Sequence, residues 1–401
     1  MSQSLFKYII VGGGLAGASA VEGIREIDRD GSILLIGRES RLPYHRPPLS
    51  KKLWTGAKKV EDIFVHDHAF YDGNKVELAL GTEVKAIDSV SKAINTIHGK
   101  VFRYEKLLLA TGGEARRMDI PGGDLDGVVH FRNLDDYLRS SKVALEGRSA
   151  VVVGGGFIGS EMAAALNMKK MEVAMIFQGP YLCRKVFPES LGRAIQQNYG
   201  NRGIRVLAGD FPTSIQRSGE RLIVSTRNGE SVKADLVIVG VGLRVSMELA
   251  RDAGLGTGDG IVVNEYLQTS NPDIFAAGDI ANFPYKALGK RMRVEHWDNA
   301  LNQGKQAGRN MAGANEKYDY MPYFFSDLFD FGYEAVGDVD ASLETFADWK
   351  EENRTGVVYY LDDGKVMGVM MCNVWDKVEA ARELIRKDDA VSVDNLRGAI
   401  A

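Results

Sequence analysis

Two apolar stretches, 5–11 and 33–36, flank a segment from about Ala16 to Ile27 whose apolar side chains recur at helical spacing. That order predicts strand, helix and parallel strand, a βαβ unit. The same pattern returns over 149–177. Alternating positions near 76–87 and 94–98 fit antiparallel strands, and Lys106–Ala110 predicts another apolar strand ending in Thr111-Gly112-Gly113. Leu222–Ser225 and Val232–Val239 read as strands, the latter running into Gly240-Val241-Gly242. Ile274-Phe275-Ala276-Ala277-Gly278-Asp279 leads towards a helix from about Asp298 to Met311. From about Tyr320 the pattern changes to alternating strands, Gly356–Leu361 and Val366–Cys372, before a closing helix over roughly Val374–Arg386.

This succession predicts an α/β protein with two Rossmann-like dinucleotide-binding domains, the second inserted in the first, and a small C-terminal α+β domain. The expected boundaries are 1–117 with 246–319 for the first, 118–245 for the second, and 320–401 for the third.

Each βαβ unit opens on a glycine fingerprint. The first is Gly12-Gly13-Gly14-Leu15-Ala16-Gly17; the second is Gly154-Gly155-Gly156-Phe157-Ile158-Gly159, closing in Ser160-Glu161. In such a motif the first glycine makes the tight turn, the second lets a pyrophosphate approach the backbone, and the third allows close helix–strand packing. The diphosphate then sits on free N–H groups at the positive end of the helix. Two fingerprints imply two dinucleotides, and the usual reason to hold two is to pass electrons between them. The first strand of the chain and the returning Gly278-Asp279 element would share one sheet, which assigns FAD to the first fingerprint and NADH or NADPH to the second.

Composition narrows the class. The chain has 401 residues, 45% hydrophobic and 26% charged, as in an ordinary globular protein of two or three domains. Its 45 glycines exceed the roughly 7% average. A net charge of -4 gives no support for a nucleic-acid or anionic-membrane partner. No apolar run reaches the roughly 18 residues of a membrane span. The first core strand begins within a few residues of Met1, so a cytoplasmic protein without a leader peptide is expected. The two cysteines, Cys183 and Cys372, lie far apart, which argues against a redox-active dithiol. Six histidines lack metal-ligand spacing, and no metal site is expected.

Individual residues carry the candidate chemistry. At the end of the second strand Glu39 is the candidate ribose ligand and Arg38 a residue over the adenine or on a phosphate, with a solvated side chain the alternative for both. The corresponding strand of the second unit ends in Gln178-Gly179-Pro180 with no acid, so the nicotinamide preference is not declared; Arg184 and Lys185 follow, as phosphate ligands or a solvated loop. The proline-rich block Leu42-Pro43-Tyr44-His45-Arg46-Pro47-Pro48-Leu49-Ser50-Lys51 cannot continue a central strand and reads as a rigid excursion, either a surface loop or, with Arg46 and Lys51 in it, a cofactor wall. Glu161, near a helix N-terminus, either complements the dipole or faces the nicotinamide and pairs with Lys51. A lysine near flavin N5 would stabilise charge on the reduced ring. Asp279 is placed to bond a cofactor hydroxyl or to cap a helix, and Trp297 to stack on a ring or fill a core.

Those motifs, with Leu109–Gly113, Glu295-His296-Trp297-Asp298-Asn299-Ala300, Phe325-Ser326-Asp327-Leu328 and Gly332-Tyr333-Glu334-Ala335, give the chain a family resemblance along nearly its whole length. It resembles the FAD-dependent pyridine-nucleotide reductases, in the branch of ferredoxin and rubredoxin reductases and apoptosis-inducing factor, with a glutathione-reductase-like fold. The resemblance implies that Arg46, Lys51, Val84, Ala110, Thr111, Gly112, Arg116, Gly278 and Asp279 contact FAD. Trp297 and Phe325 would lie beside its ring, with His296 on the ring's nicotinamide side. Phe157, Glu161, Gly242 and Glu295 would line the nicotinamide pocket. It further implies hydride transfer from nicotinamide to flavin and single-electron transfer to a ferredoxin or rubredoxin. The alternatives are a redox-responsive protein like apoptosis-inducing factor, with slow NADH oxidation and controlled association, and an NADH oxidase or quinone reductase. A homodimer is left open.

Overall fold

The computed structural model describes residues 4–387 and 389–400. The chain divides into two units. One comprises the chain up to His45, Val60–Glu114 and Val245–Tyr323; the other comprises Arg46–Lys59, Ala115–Arg244 and the chain from Phe324 onward.

The first unit is built on the strand Ser4–Val11, with parallel neighbours Ile33–Gly37 and Val101–Leu109. Between the first two strands runs the helix Leu15–Ile27. Asp28 ends it and turns the chain: its N–H bonds Ile24 O, and its carboxylate accepts from Lys7 Nζ, Tyr8 OH and the N–H groups of Asp30 and Gly31. The Lys7 bond leads in holding that carboxyl well below the usual range. Val101–Leu109 forks. Its first residues pair antiparallel with Ala93–Thr96, and its last pair in parallel with Ile274–Ala276. The Ile274–Asp279 element thus returns to the sheet of the first fingerprint, as expected.

The helix Trp297–Met311 packs on Leu15–Ile27 backbone to backbone. A Cβ on Gly304 would stand 2.3 Å from Ala16 O, one on Gly308 2.2 Å from Ala20 O, and one on Gly23 2.0 Å from Lys305 O. Glycine is required here by proximity.

The second unit repeats the parallel plan in a five-stranded sheet, in the order Arg205–Ala208, Glu172–Phe177, Ser149–Val153, Leu236–Val239, Val128–His130. A three-stranded antiparallel meander spanning Pro212–Ala234 packs on it: Ile215, Leu222, Val224 and Val232 share one buried cluster with Val151, Val153, Ile176, Val237 and Val239. Residues beyond Phe324 form a five-stranded sheet with one main helix, Val378–Arg386, so this C-terminal part is mostly sheet.

Three expectations need correction. Val76–Leu80 is not antiparallel; it adds in parallel to the edge of Ile33–Gly37. Gly81, at φ +66°, and Thr82 turn the chain back onto Glu39 O and Gly37 O, and only Val84–Asp88 pairs antiparallel with Ala93–Thr96. Alternation marks a half-buried strand without naming its partner. Val232–Val239 is not one strand. It changes sheets at Asp235, whose carboxylate accepts from the N–H and Oγ of Ser149, both at 2.8 Å. The closing helix begins at Val378 and not Val374, because Asn373 and Asp376 adopt left-handed conformations, at φ +48° and +60°.

Candidate functional site

The two fingerprints share one geometry. Gly12 has φ +136°, and a Cβ there would lie 2.1 Å from Ala110 O; Gly154 has φ +121°, with its Cβ 2.2 Å from Gly240 O. A Cβ on Gly17 would stand 2.1 Å from Gly12 O, and one on Gly159 2.0 Å from Gly154 O. These positions are closed by the protein itself. The middle positions are open: a Cβ on Gly14 or Gly156 would meet nothing within 4 Å. Gly14 and Gly156 also begin their helices without a side-chain cap, and neither first turn holds an acid. Free N–H groups, an unfilled cradle and no competing carboxylate fit a bound diphosphate at each helix.

Within the second helix Glu161 is 6% exposed and fully engaged. Lys51 Nζ lies 2.6 Å from Oε1, Ser326 Oγ donates to the same oxygen at 2.6 Å, and Ser50 Oγ donates to Oε2 at 2.5 Å. The sequence folds this way because Pro47–Ser50 makes one tight turn of 3-10 helix, which places Ser50 and Lys51 on adjacent steps of the chain. Trp54 anchors that turn by donating to Leu49 O at 2.6 Å and packing edge-on against Tyr137. Lys51 Nζ also stands 5.4 Å from the Phe325 ring centre, a cation–π contact. Phe157 lies 5.6 Å from Phe324. Ser50 and Ser326 were absent from the sequence-based candidates; a serine flanking a motif lysine has no spacing signal of its own.

Other candidates in this unit are held mainly by backbone. Arg46 donates to Arg132 O at 2.7 Å, and Arg116 bonds Gly242 O through its N–H and Leu243 O through Nε. Gln178 is exposed after the strand Glu172–Phe177, and Ile158 is exposed on the helix. Gly155 packs on Phe177, whose ring a Cβ would meet at 2.6 Å.

In the first unit Glu39 accepts from Tyr44 OH at 2.6 Å, while Arg38 pairs with Glu114. Val84 is buried in its strand, and Thr111 Oγ1 donates weakly to Ser246 O. Gly278 takes φ +81°, and Gln303 accepts its N–H at 2.8 Å. Arg293 ties the neighbourhood together, donating to Asp279 O and pairing with Asp259 and with Glu295 at 2.5 Å. Glu295 is therefore committed to Arg293. Trp297 Nε1 donates to His45 Nδ1 at 2.8 Å, which fixes the indole plane. Burial pushes His296 down to about 4 despite the opposing charge of Asp279, so its imidazole is neutral at physiological pH.

Both cysteines are buried and free, and burial raises both thiols, Cys183 to about 12. Neither is poised as a thiolate. Among the described residues no group of three or more His, Cys, Asp or Glu could hold a metal ion, and no helix is long and apolar enough to cross a membrane.

Residues 6–304 match the family profile of the pyridine nucleotide-disulphide oxidoreductases. The chain belongs to this family. Residues 307–355 and 347–387 match the C-terminal region of mitochondrion-associated apoptosis-inducing factor. The chain is 34% identical to apoptosis-inducing factor 1 of Dictyostelium discoideum over 95% of its length and 78% of the relative's. It is also 34% identical to the ferredoxin–NAD(+) reductase component of the anthranilate 1,2-dioxygenase system of Burkholderia cepacia, over 96% and 95%. Monodehydroascorbate reductase 2 of Arabidopsis thaliana is 33% identical, over 92% and 91%. Among solved structures, the covalent putidaredoxin reductase–putidaredoxin complex superposes with a TM-score of 0.91 at 28% identity, covering 99% of this chain and 96% of that one. As a pyridine nucleotide-disulphide oxidoreductase the chain is a flavoprotein reductase that uses FAD and NAD(P)H. It departs from the family's name in that its two cysteines, both free, offer no dithiol.

Proposed function

We propose that this protein is an FAD-dependent NAD(P)H reductase that hands electrons one at a time to a small ferredoxin-type carrier. The observation that carries the reading is the sheltered Lys51–Glu161 pair, in which Glu161 stands on a nucleotide-fingerprint helix and is held by two serine hydroxyls. Bound FAD would supply two-electron acceptance from a nicotinamide and one-electron release to an acceptor.

The residues do the rest. The turn that Gly12 and Gly17 shape would hold the FAD diphosphate over the open Gly14 on the N–H groups of Leu15 and Ala16, and Glu39, steadied by Tyr44, would accept from the adenosine ribose. Gly154, Gly156 and Gly159 receive the nicotinamide nucleotide. Lys51 would supply positive charge to a reduced flavin ring, an electrostatic contribution that needs no proton transfer. Glu161 aims that ammonium, and the three donors around Glu161 leave it one conformation. With no dithiol to intervene, electrons go directly to the external acceptor.

Relatives named for ferredoxin and monodehydroascorbate support this route, because both acceptors take single electrons. The test is steady-state turnover with a panel of ferredoxins, rubredoxin, monodehydroascorbate, quinones and oxygen. Rapid reduction of an iron–sulfur protein is expected. Rapid turnover with oxygen or quinone alone would refute it.

The match of the C-terminal sheet to apoptosis-inducing factor favours a second reading, a slow redox-responsive protein whose association changes on reduction. Slow reoxidation in air with a shift in elution volume, monomer to dimer, would select it.

A further inference from the structure

We propose that the second nucleotide site prefers NADPH, with Arg184 recognising the 2′-phosphate. The proposal rests on the reductase reading above and names its hydride donor.

The end of the second strand of a Rossmann unit meets the adenosine ribose, where an Asp or Glu accepts from the 2′-OH and repels a 2′-phosphate. In the first unit Glu39 stands at that position. In the second, the strand stops at Phe177 and runs into Gln178-Gly179-Pro180, and no carboxylate occurs before Glu189. Gly179 does not take a left-handed conformation, so its backbone does not demand glycine. The space beside it is taken instead by Arg184: a Cβ on residue 179 would lie 2.7 Å from Arg184 Cδ and 3.2 Å from its Nε. A cation thus crosses the place an acidic side chain would enter.

The surrounding charges agree. Arg184 and Lys185 are both exposed, and among the described residues neither side chain has a hydrogen-bond or ion-pair partner. Gly209 N–H bonds Gly179 O, and Arg227 donates to Gly209 O at 3.1 Å, which brings a third cation to this turn. Asp210 is attached to the same turn through its N–H on Phe177 O, yet it is 2% exposed and its carboxylate accepts from Phe211 and Asn228. An unpartnered guanidinium is suited to forked bonding with a phosphate.

Calorimetric titration of the FAD-loaded protein with NADP+ and NAD+, alongside kcat/KM for NADPH and NADH, tests the proposal. The wild type is expected to favour the phosphorylated coenzyme at least tenfold by both measures. Arg184→Ala should bring the ratio close to one, and Gly179→Glu should reverse it. Retained yellow colour shows that each variant folds and holds FAD. A wild-type ratio at or below one, or a ratio that Arg184→Ala leaves unchanged, overturns the proposal. Failure of both coenzymes to bind would overturn the reductase reading itself, a distinguishable result.

Discussion

The helices Leu15–Ile27 and Phe157–Met168 begin on the same glycine turn, yet their surroundings differ. The first is clamped along its length by Trp297–Met311, with glycines bringing backbone against backbone, and no ionised group is buried in it. The second carries a buried carboxylate, Glu161, satisfied by a lysine and two serines. Their strand ends differ too: Glu39 on one side, Gln178-Gly179 with Arg184 on the other. The difference teaches that one binding motif serves two purposes. A rigid, apolar setting suits a cofactor that stays; a polar, charged setting suits a nucleotide that comes, reacts and leaves.

Matched substitutions test that division most severely. Gly17→Ala and Gly159→Ala drive a methyl group into equivalent carbonyls. Gly17→Ala should lower FAD content more than tenfold. Gly159→Ala should leave a yellow protein whose bleaching by NAD(P)H is more than tenfold slower. Loss of colour in both would abolish the contrast. Lys51→Ala comes next. Stopped-flow flavin reduction should slow by about 10²-fold, and unfolding should show a loss of about 3–5 kcal/mol from stranding a buried carboxylate. Arg38→Ala, which breaks an exposed ion pair in the first unit, should cost less than about 1 kcal/mol by the same unfolding measurement.

A smaller effect sharpens the picture. Ser326→Ala removes one donor from Glu161 and should cost about 1.5–3 kcal/mol, with several-fold slower flavin reduction; Ser50→Ala should behave alike. An unchanged reduction rate in both would make the hydroxyls structural only. The smallest effect concerns pH. His296 takes its proton near pH 4 when folded and near its ordinary 6.5 when unfolded. Between those values the unfolded chain binds more protons, so this group lowers stability as pH falls through that window and changes nothing above it. The melting temperature of His296→Gln should therefore decline less steeply from pH 6.5 to 4 than that of the wild type.

Much of this was legible in the chain because glycine at Gly12, Gly17, Gly154 and Gly159 answers to contacts within one turn of its own neighbours. Periodicity likewise revealed the central strands of both parallel sheets, though not Val128–His130 or Arg205–Ala208 at the edges of the second. Partnership over distance was harder. The parallel placement of Val76–Leu80 and the change of sheet at Asp235 depend on neighbours remote in sequence, to which an apolar pattern is blind. Lys51 and Glu161 were paired in the sequence reading, and the structure puts them 2.6 Å apart; the serines that complete their network came only with the fold. Arg184 was visible in the chain, but its position across Gly179 was not.

The clamp between Leu15–Ile27 and Trp297–Met311 joins segments that about two thirds of the chain separates. During synthesis the first fingerprint therefore emerges long before its cover, and its apolar helix must wait on the ribosome for the returning residues. Gly304 and Gly308 form the latch that ends this wait. Substitutions there should show first as poor yield and misassembly in the cell, before any defect in the chemistry of the finished protein.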